Sequence, residues 1–193
     1  MGVQEVRWDK GGMVNAGNNN FFYGKGNEYQ LGTGFFVHHR NVLAVTKLEF
    51  VSDRVSYLVL RGHWCNILVL NVHAPSEEKS DDSKDCFYVE LEQVSYNFSK
   101  YHMKILLGNF NAKVEGENIF KPAIGYDSLH QDNDDNGVRI VNFATSKNLA
   151  VTSTMLPHRN FHKYTWISPD GKTHNQIDHV LIYRTWHSSI LDV

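Results

Sequence analysis

The sequence predicts an α/β fold, and three observations carry that reading. Residues 55–60 alternate, with Val55, Tyr57 and Val59 on one side and Leu58 and Leu60 on the other, and the apolar run 67–72 follows as the second arm of a hairpin. Phe87, Leu91, Val94 and Phe98 then recur at steps of four, three and four, which is the spacing of one helix face. After it, the apolar residues 105–107 read as a strand buried on both faces, ended by Gly108 and the amides Asn109 and Asn111. The local order is strand, helix, strand.

The remaining elements are read in chain order. Val3 and Val6 look like the end of a strand, while residues 9–20, rich in glycine and asparagine, read as a surface loop. Residues 35–37 and 42–45 fit two antiparallel strands about Arg40-Asn41. Ser80 or Ser83, each followed by acidic residues, opens the first long helix. The stretch 114–133, which holds Pro122 and Gly125, is long for a connection and favours a functional excursion. Asp135 or Asn136 caps a second helix that turns Val138, Val141 and Ala144 or Thr145 inward and ends at Asn148. Residues 149–154 and 164–167 read as strands, residues 168–171 as a turn, and 177–183 as a final strong strand.

A chain of 193 residues fits one domain, here 1–193, with room for a sizeable core. Lys plus Arg (19) nearly balances Asp plus Glu (21), so binding of nucleic acid requires a local basic patch rather than a global field. Cys65 and Cys86 fit neither a CxxC nor a zinc pattern and are expected as reduced thiols. No apolar run approaches membrane-spanning length and the N-terminus has no apolar signal core. No membrane partner is expected, and the expected setting is intracellular and nuclear.

Several polar residues stand at strand ends, where a rigid backbone meets solvent. Asn109 and Asn111, two apart, would project to one side of an extended chain; read alone, they are an Asx turn closing a strand. Glu5, beside Gln4, is one carboxylate of the kind that holds Mg²⁺ with most of its shell left to water and phosphate, or a solvated charge. His73, before Pro75, is either a donor to a phosphate oxygen or a structural imidazole. Asp178 enters a buried strand and needs a partner; His179 points to the opposite face, so the imidazole it would orient lies elsewhere. Thr165-Trp166 offers a hydroxyl and an indole, the latter more often core than a stacking surface. His158 and His162 have a zinc-compatible spacing if helical, but Pro157 and Asn160 argue for a loop.

Taken in order, Gln4-Glu5, Asn71-Val72-His73-Ala74-Pro75, Leu107-Gly108-Asn109-Phe110-Asn111-Ala112, Tyr164-Thr165-Trp166 and Ile177-Asp178-His179 resemble the motifs of the endonuclease/exonuclease/phosphatase superfamily. Within it the chain is similar to the apurinic-type endonuclease domain of non-LTR retrotransposons and its craniofacial development protein 2-like relatives. The resemblance implies a four-layer α/β sandwich of two facing mixed sheets flanked by helices, Mg²⁺ or Mn²⁺ as cofactor, and cleavage of a DNA phosphodiester. It also implies roles: Glu5 on the metal, Asn111 on the phosphate or nucleophile, Thr165 near the scissile bond, Asp178 orienting a catalytic histidine, and His73 where many members carry Tyr.

Departures from the family pattern set the functional expectation. Asn109 stands where the family has the Asp of Gly-Asp-Phe-Asn, and an amide cannot take a proton from water at neutral pH. The family's first strand with its metal-site Asn, and its C-terminal Ser-Asp-His, are expected to fall outside residues 1–193. The reading is thus a retrotransposon-derived endonuclease domain with a weakened metal site and weak or absent turnover. Two alternatives accompany it: a non-catalytic module that binds nucleic acid or protein through the same cleft, and a fragment of a longer, active nuclease.

Overall fold

The computed structural model describes residues 1–24, 31–99, 101–116 and 123–190. Its first strands, β1 (Gly2–Gln4), β2 (Gly12–Ala16), β3 (Asn19–Tyr23) and β4 (Thr33–His38), form an antiparallel sheet in the order β1-β4-β3-β2. The stretch expected as a surface loop therefore holds a strand and the start of the next. Gly17, at φ 64°, turns the hairpin. Because β2 is exposed along its whole length, it carries no apolar alternation from which a strand could be read.

Residues 35–37 and 42–45 do not pair with each other. A single helical turn, α1 (His39–Val42), follows the first sheet, and β5 (Val45–Phe50) enters a second one beside β6 (Val55–Leu60) and β7 (Ile67–His73). The β6–β7 hairpin has the register that the alternation predicts, with Val55 opposite Val72 and Leu60 opposite Ile67. Strand β8 (Met103–Asn109) lies beside β7. The chain divides into two compact units, Met1–Ala74 with Val89–Gly108, and Pro75–Tyr88 with Asn109–Val193.

In the first unit the two sheets face each other, β4 against β6 and β7, and β1 against β7. Alternation on β6 decides what each face meets. Leu58 joins Phe35 and Val37 in the core between the sheets, and Ser56 bonds Thr33 across it at 2.7 Å. Tyr57 looks the other way and meets the Phe98 ring edge-on. Beyond it lies the C-terminal half of α2 (Asp81–Tyr96), whose buried Leu91 and Val94 occupy the expected face. The helix begins directly after Ser80, and it ends before Phe98. Lys104, buried and with its pKa lowered by that burial, donates to the carbonyls of Ser95 and Phe98 and so closes the helix end. Leu106 of β8 is fully buried whereas Ile105 and Leu107 are half-buried, so this strand has one deep face rather than two.

Asn71 on β7 is the polar tie between those sheets. Fully buried, its Nδ2 donates to Val3 O and Gly34 O, both at 2.9 Å, while Oδ1 accepts from Gln4 Nε2. Gly108 is fixed by the same crowding: at φ 138°, an added Cβ would lie 2.1 Å from Val72 O.

The second unit is built from α3 (Asp135–Ser146), β9 (Leu149–Val151), the short ribbon of β10 (Trp166–Ile167) and β11 (His174–Asn175), and β12 (Asp178–Tyr183), which runs antiparallel to β9. Asp134, one residue before the expected caps, starts α3: its Oδ1 accepts from Gly137 N at 2.7 Å and from Lys113 N at 3.0 Å. The shift rotates the buried face onto Ile140, Val141, Phe143 and Ala144 and leaves Val138 48% exposed. Asn148, at φ 55°, ends the turn after the helix. In the long connection, Asp127 bonds Lys163 at 2.7 Å and Glu115 N bonds Asn133 Oδ1, so its described part is tied down; Lys121 and Pro122 lie outside the described residues. Strand 149–154 is shorter than expected, because Thr152–Thr154 coils into a 3-10 turn. Gly171 N donates to Ser168 O at 2.8 Å, as the expected turn requires. Trp166 is 41% exposed on a two-residue strand, contrary to a core role. Cys65 and Cys86 are free thiols. Among the described residues, no helix is long and apolar enough to cross a membrane.

Replacing Asn71 by Ala removes three hydrogen bonds, one of them to the buried Gly34 carbonyl. The expected loss is about 2–4 kcal/mol, read as a lower urea midpoint at unchanged slope. A midpoint within error of the parent would show that the tie carries no stability.

Candidate functional site

The first unit holds Glu5 and His73, and the second holds Asn109, Asn111, Thr165 and Asp178. Glu5 follows β1 directly and adopts φ 56°, a left-handed conformation that is unusual for a side chain of its kind. Its carboxylate is half-exposed and pairs with Arg7 at 2.8 Å, an exposed contact that water and salt screen. A cation arriving there competes with the Arg7 guanidinium for this carboxylate.

His73 ends β7 in a tighter setting. Its backbone is clasped by Arg54, which accepts from His73 N at 2.9 Å and donates from its guanidinium to His73 O at 3.1 Å. The ring is buried, and Nδ1 has no hydrogen-bond partner among the described residues. Burial, then the Arg54 charge, push its pKa down, against the pull of Glu5 and Asp53, so the neutral imidazole is favoured. Such a ring offers an unspent nitrogen beside a carboxylate. A sequence search for site residues overlooks Arg54, whose role is carried by backbone contacts that leave no spacing signal.

In the second unit, Asn109 and Asn111 do not project side by side from an extended strand. Asn109 Oδ1 accepts from Asn111 N at 2.7 Å, and Asn111 takes φ 48°, which is the Asx turn. Phe110 between them is fully buried and donates its N–H to Ile177 O at 3.0 Å. Asn136, at the start of α3, fixes the turn from behind: its Nδ2 donates to Asn111 O at 2.9 Å and to Pro75 O at 3.0 Å. Helix position alone gave Asn136 the look of a cap.

Thr165 and Asp178 act as a pair. The Thr165 hydroxyl oxygen accepts from Ile177 N (2.9 Å) and Asp178 N (3.2 Å), pinning the first residues of β12. Burial raises the Asp178 pKa, and the Thr165 hydroxyl partly offsets it. His179 faces the opposite side, as the strand period requires. Its Nδ1 meets Ser153 Oγ at 2.8 Å and its Nε2 meets Ala112 O at 2.9 Å. A carbonyl can only accept, so Nε2 carries the proton and Nδ1 accepts from Ser153. Gln176, buried and unnoticed in the sequence, ties this region together by donating to Ser153 O and accepting from Leu129 N.

His162 sits in a 3-10 turn and not in an α-helix, so the zinc spacing is not realised. Among the described residues no group of three or more His, Cys, Asp or Glu side chains is placed to hold a metal. Mg²⁺ needs less than that, one or two carboxylates with water and phosphate completing its shell. Glu5, a half-exposed hard oxygen donor beside a polar ring, fits that demand; a soft metal finds no thiolate there.

No protein-family model matches the chain. The sequence is 28% identical over 192 residues to craniofacial development protein 2 of Bos taurus, covering 98% of this chain and 32% of that protein. The chain thus spans about a third of the length of this curated relative. Among solved structures, the AP endonuclease LMAP from Leishmania major superposes with a TM-score of 0.65 at 12% identity, over 99% of this chain and 71% of that one. The endonuclease domain of TRAS1, a telomere-specific non-LTR retrotransposon, superposes with a TM-score of 0.57 at 12% identity, over 88% and 67%. These likenesses establish the fold: a mixed α/β chain with two sheets, of the endonuclease/exonuclease/phosphatase type, as expected.

Burial holds the His179 imidazole down, to about 4 from 6.5, with its bond to Ala112 O opposing and the His130 charge assisting. The unfolded chain then binds the extra proton between these values, so stability falls as pH drops through that window and is fully present above it. The expected loss from His179 between pH 7 and 4 is roughly 3 kcal/mol. Urea melts across that range check it, and His179→Gln should flatten the slope; an unchanged slope would refute the assignment.

Proposed function

We propose that residues 1–193 form a retrotransposon-derived endonuclease domain that engages a nucleic-acid phosphodiester but lacks the carboxylate that would activate water. The observation that carries the reading is Asn109, an amide at the strand end whose oxygen is already committed to Asn111 N. Its likeness in fold to the LMAP and TRAS1 endonucleases supports the phosphodiester as substrate class.

Glu5 would hold the divalent cation, Mg²⁺ or Mn²⁺, which when bound polarises a phosphate oxygen and stabilises the leaving oxygen. The residues of this chain do the rest. His73, neutral and with Nδ1 unspent, can bond a phosphate oxygen or a water. Asn111 would position the phosphate, and its left-handed backbone, held by Asn136, fixes where that amide stands. Thr165 spends its hydroxyl oxygen on the backbone of Ile177 and Asp178, which makes it a positioning group for that strand end. Asp178 would orient an imidazole, and His179 cannot serve, because both its nitrogens are bonded in the core. At Asn109 the step stalls: the carboxamide can hold a water but not accept its proton.

The spent Asn109 oxygen also favours a second reading, a module that binds the backbone without cutting it. Plasmid nicking in Mg²⁺ separates the two. In a chain extended beyond Val193 with Ser-Asp-His, Asn109→Asp is expected to nick roughly 10² to 10⁴ times faster than the same chain with Asn109, the usual worth of a general base. Equal rates would overturn the assignment of Asn109. Salt-sensitive binding of DNA with no nicking in either chain would establish the binding module.

A further inference from the structure

We propose that the end of the first unit remote from His73 is a second, separate contact surface, for single-stranded nucleic acid. Three loops meet there. Arg61 N donates to Ala44 O at 2.7 Å, which joins the turn after α1 to the β6–β7 loop, and Met103 N donates to Asn66 O at 3.1 Å, which joins that loop to the start of β8. His102 adds a side-chain contact to Asn66 at 3.5 Å. The surface therefore gathers residues 39–44, 61–66 and 101–103. It lies at the Ile67 end of β7, about 20 Å from His73 at the other end of the same strand.

Two properties of these loops point to one partner. Large apolar side chains stand in solvent: Trp64 is 91% exposed, Tyr101 76% and Leu43 93%. Trp64 is not loose, since the His63 ring meets it edge-on at 4.6 Å. Around the aromatics the charge is of one sign. Arg40 and Arg61 are exposed, and the sequence holds no Asp or Glu in residues 29–48, 55–76 or 93–114. Glu5 and Asp53 act instead on His73, at the other end of β7. In a chain with net charge of −2, the patch residues 39–44, 61–66 and 101–103 thus bring arginine, histidine and exposed aromatic rings and no Asp or Glu of their own. Aromatic faces take unpaired bases by stacking and cations follow the backbone, which is the recognition mode of single strands; a protein partner would be expected to bring carboxylates here, and the large rings would then need a matching apolar cover.

The test is a fluorescence-anisotropy titration of the full chain with a labelled dT oligonucleotide, in EDTA so that no strand is cut. Trp64→Ala and Tyr101→Ala are each expected to weaken binding about ten-fold, and Trp64→Phe to restore most of it, because stacking survives. Arg40→Ala with Arg61→Ala should reduce the slope of log affinity against log salt by about 0.7 per cation. Duplex of the same length should bind more weakly. Arg40, Arg61, Trp64 and Tyr101 all carry exposed side chains, and an unchanged thermal melt of each variant confirms that the fold is kept. Wild-type affinity in the Trp64 and Tyr101 variants overturns the proposal. So does sedimentation showing a dimer that Trp64→Ala dissociates while oligonucleotide binding stays at the parent value, an outcome that assigns the patch to a second copy.

Discussion

One buried amide holds the first unit in register. Asn71 donates to Val3 O and Gly34 O and accepts from Gln4, so a single side chain on β7 fixes two strands of the facing sheet. Leaving any of those groups dry and unpaired would be unfavourable, which is why the register cannot slip without losing the core around Phe35, Val37 and Leu58. The functional consequence is immediate. Gln4 leads to Glu5, Asn71 leads to His73, and Gly108 is the only residue type that can pass under Val72 O. The candidate cation ligand and the unspent imidazole are therefore placed by the same bond network that stacks the sheets.

The second unit solves a similar problem with different means. Phe110 is driven into the core, and its N–H finds Ile177 O, so the Asx turn at Asn109 and the start of β12 are fixed together. Asn136, Gln176 and His179 are all buried and all bonded to backbone carbonyls. Satisfied polar groups of this kind make a rigid frame for Asn111, Thr165 and Asp178.

Legibility in the sequence followed periodicity. The β6–β7 hairpin, the Leu91 and Val94 face of α2, the turn at Ser168 and the outward direction of Asp178 from His179 were all readable, since each is set by the spacing of apolar and polar residues. Strand β2 was not, because both its faces meet solvent and its pairing is purely backbone. The separation of residues 35–37 from 42–45 was hidden because a one-turn helix has no period to detect. At the site, residue types were legible but conformations were not. Asn111 and Glu5 take left-handed φ values that no spacing announces, and Arg54, Asn136 and Gln176 act through backbone groups far away in sequence.

Within the first unit Glu5, Asp53 and Arg54 act on His73, while Arg40, Arg61 and exposed rings lie at the other end of β7. Glu5 as a one-carboxylate cation site is the central claim. Paramagnetic broadening of NMR signals by sub-stoichiometric Mn²⁺ tests it most directly. Selective loss of the Glu5 amide and the His73 ring signals is expected, reversed by excess Mg²⁺ and abolished in Glu5→Gln; broadening that spares these two residues, or that persists in Glu5→Gln, would contradict a cation site at Glu5.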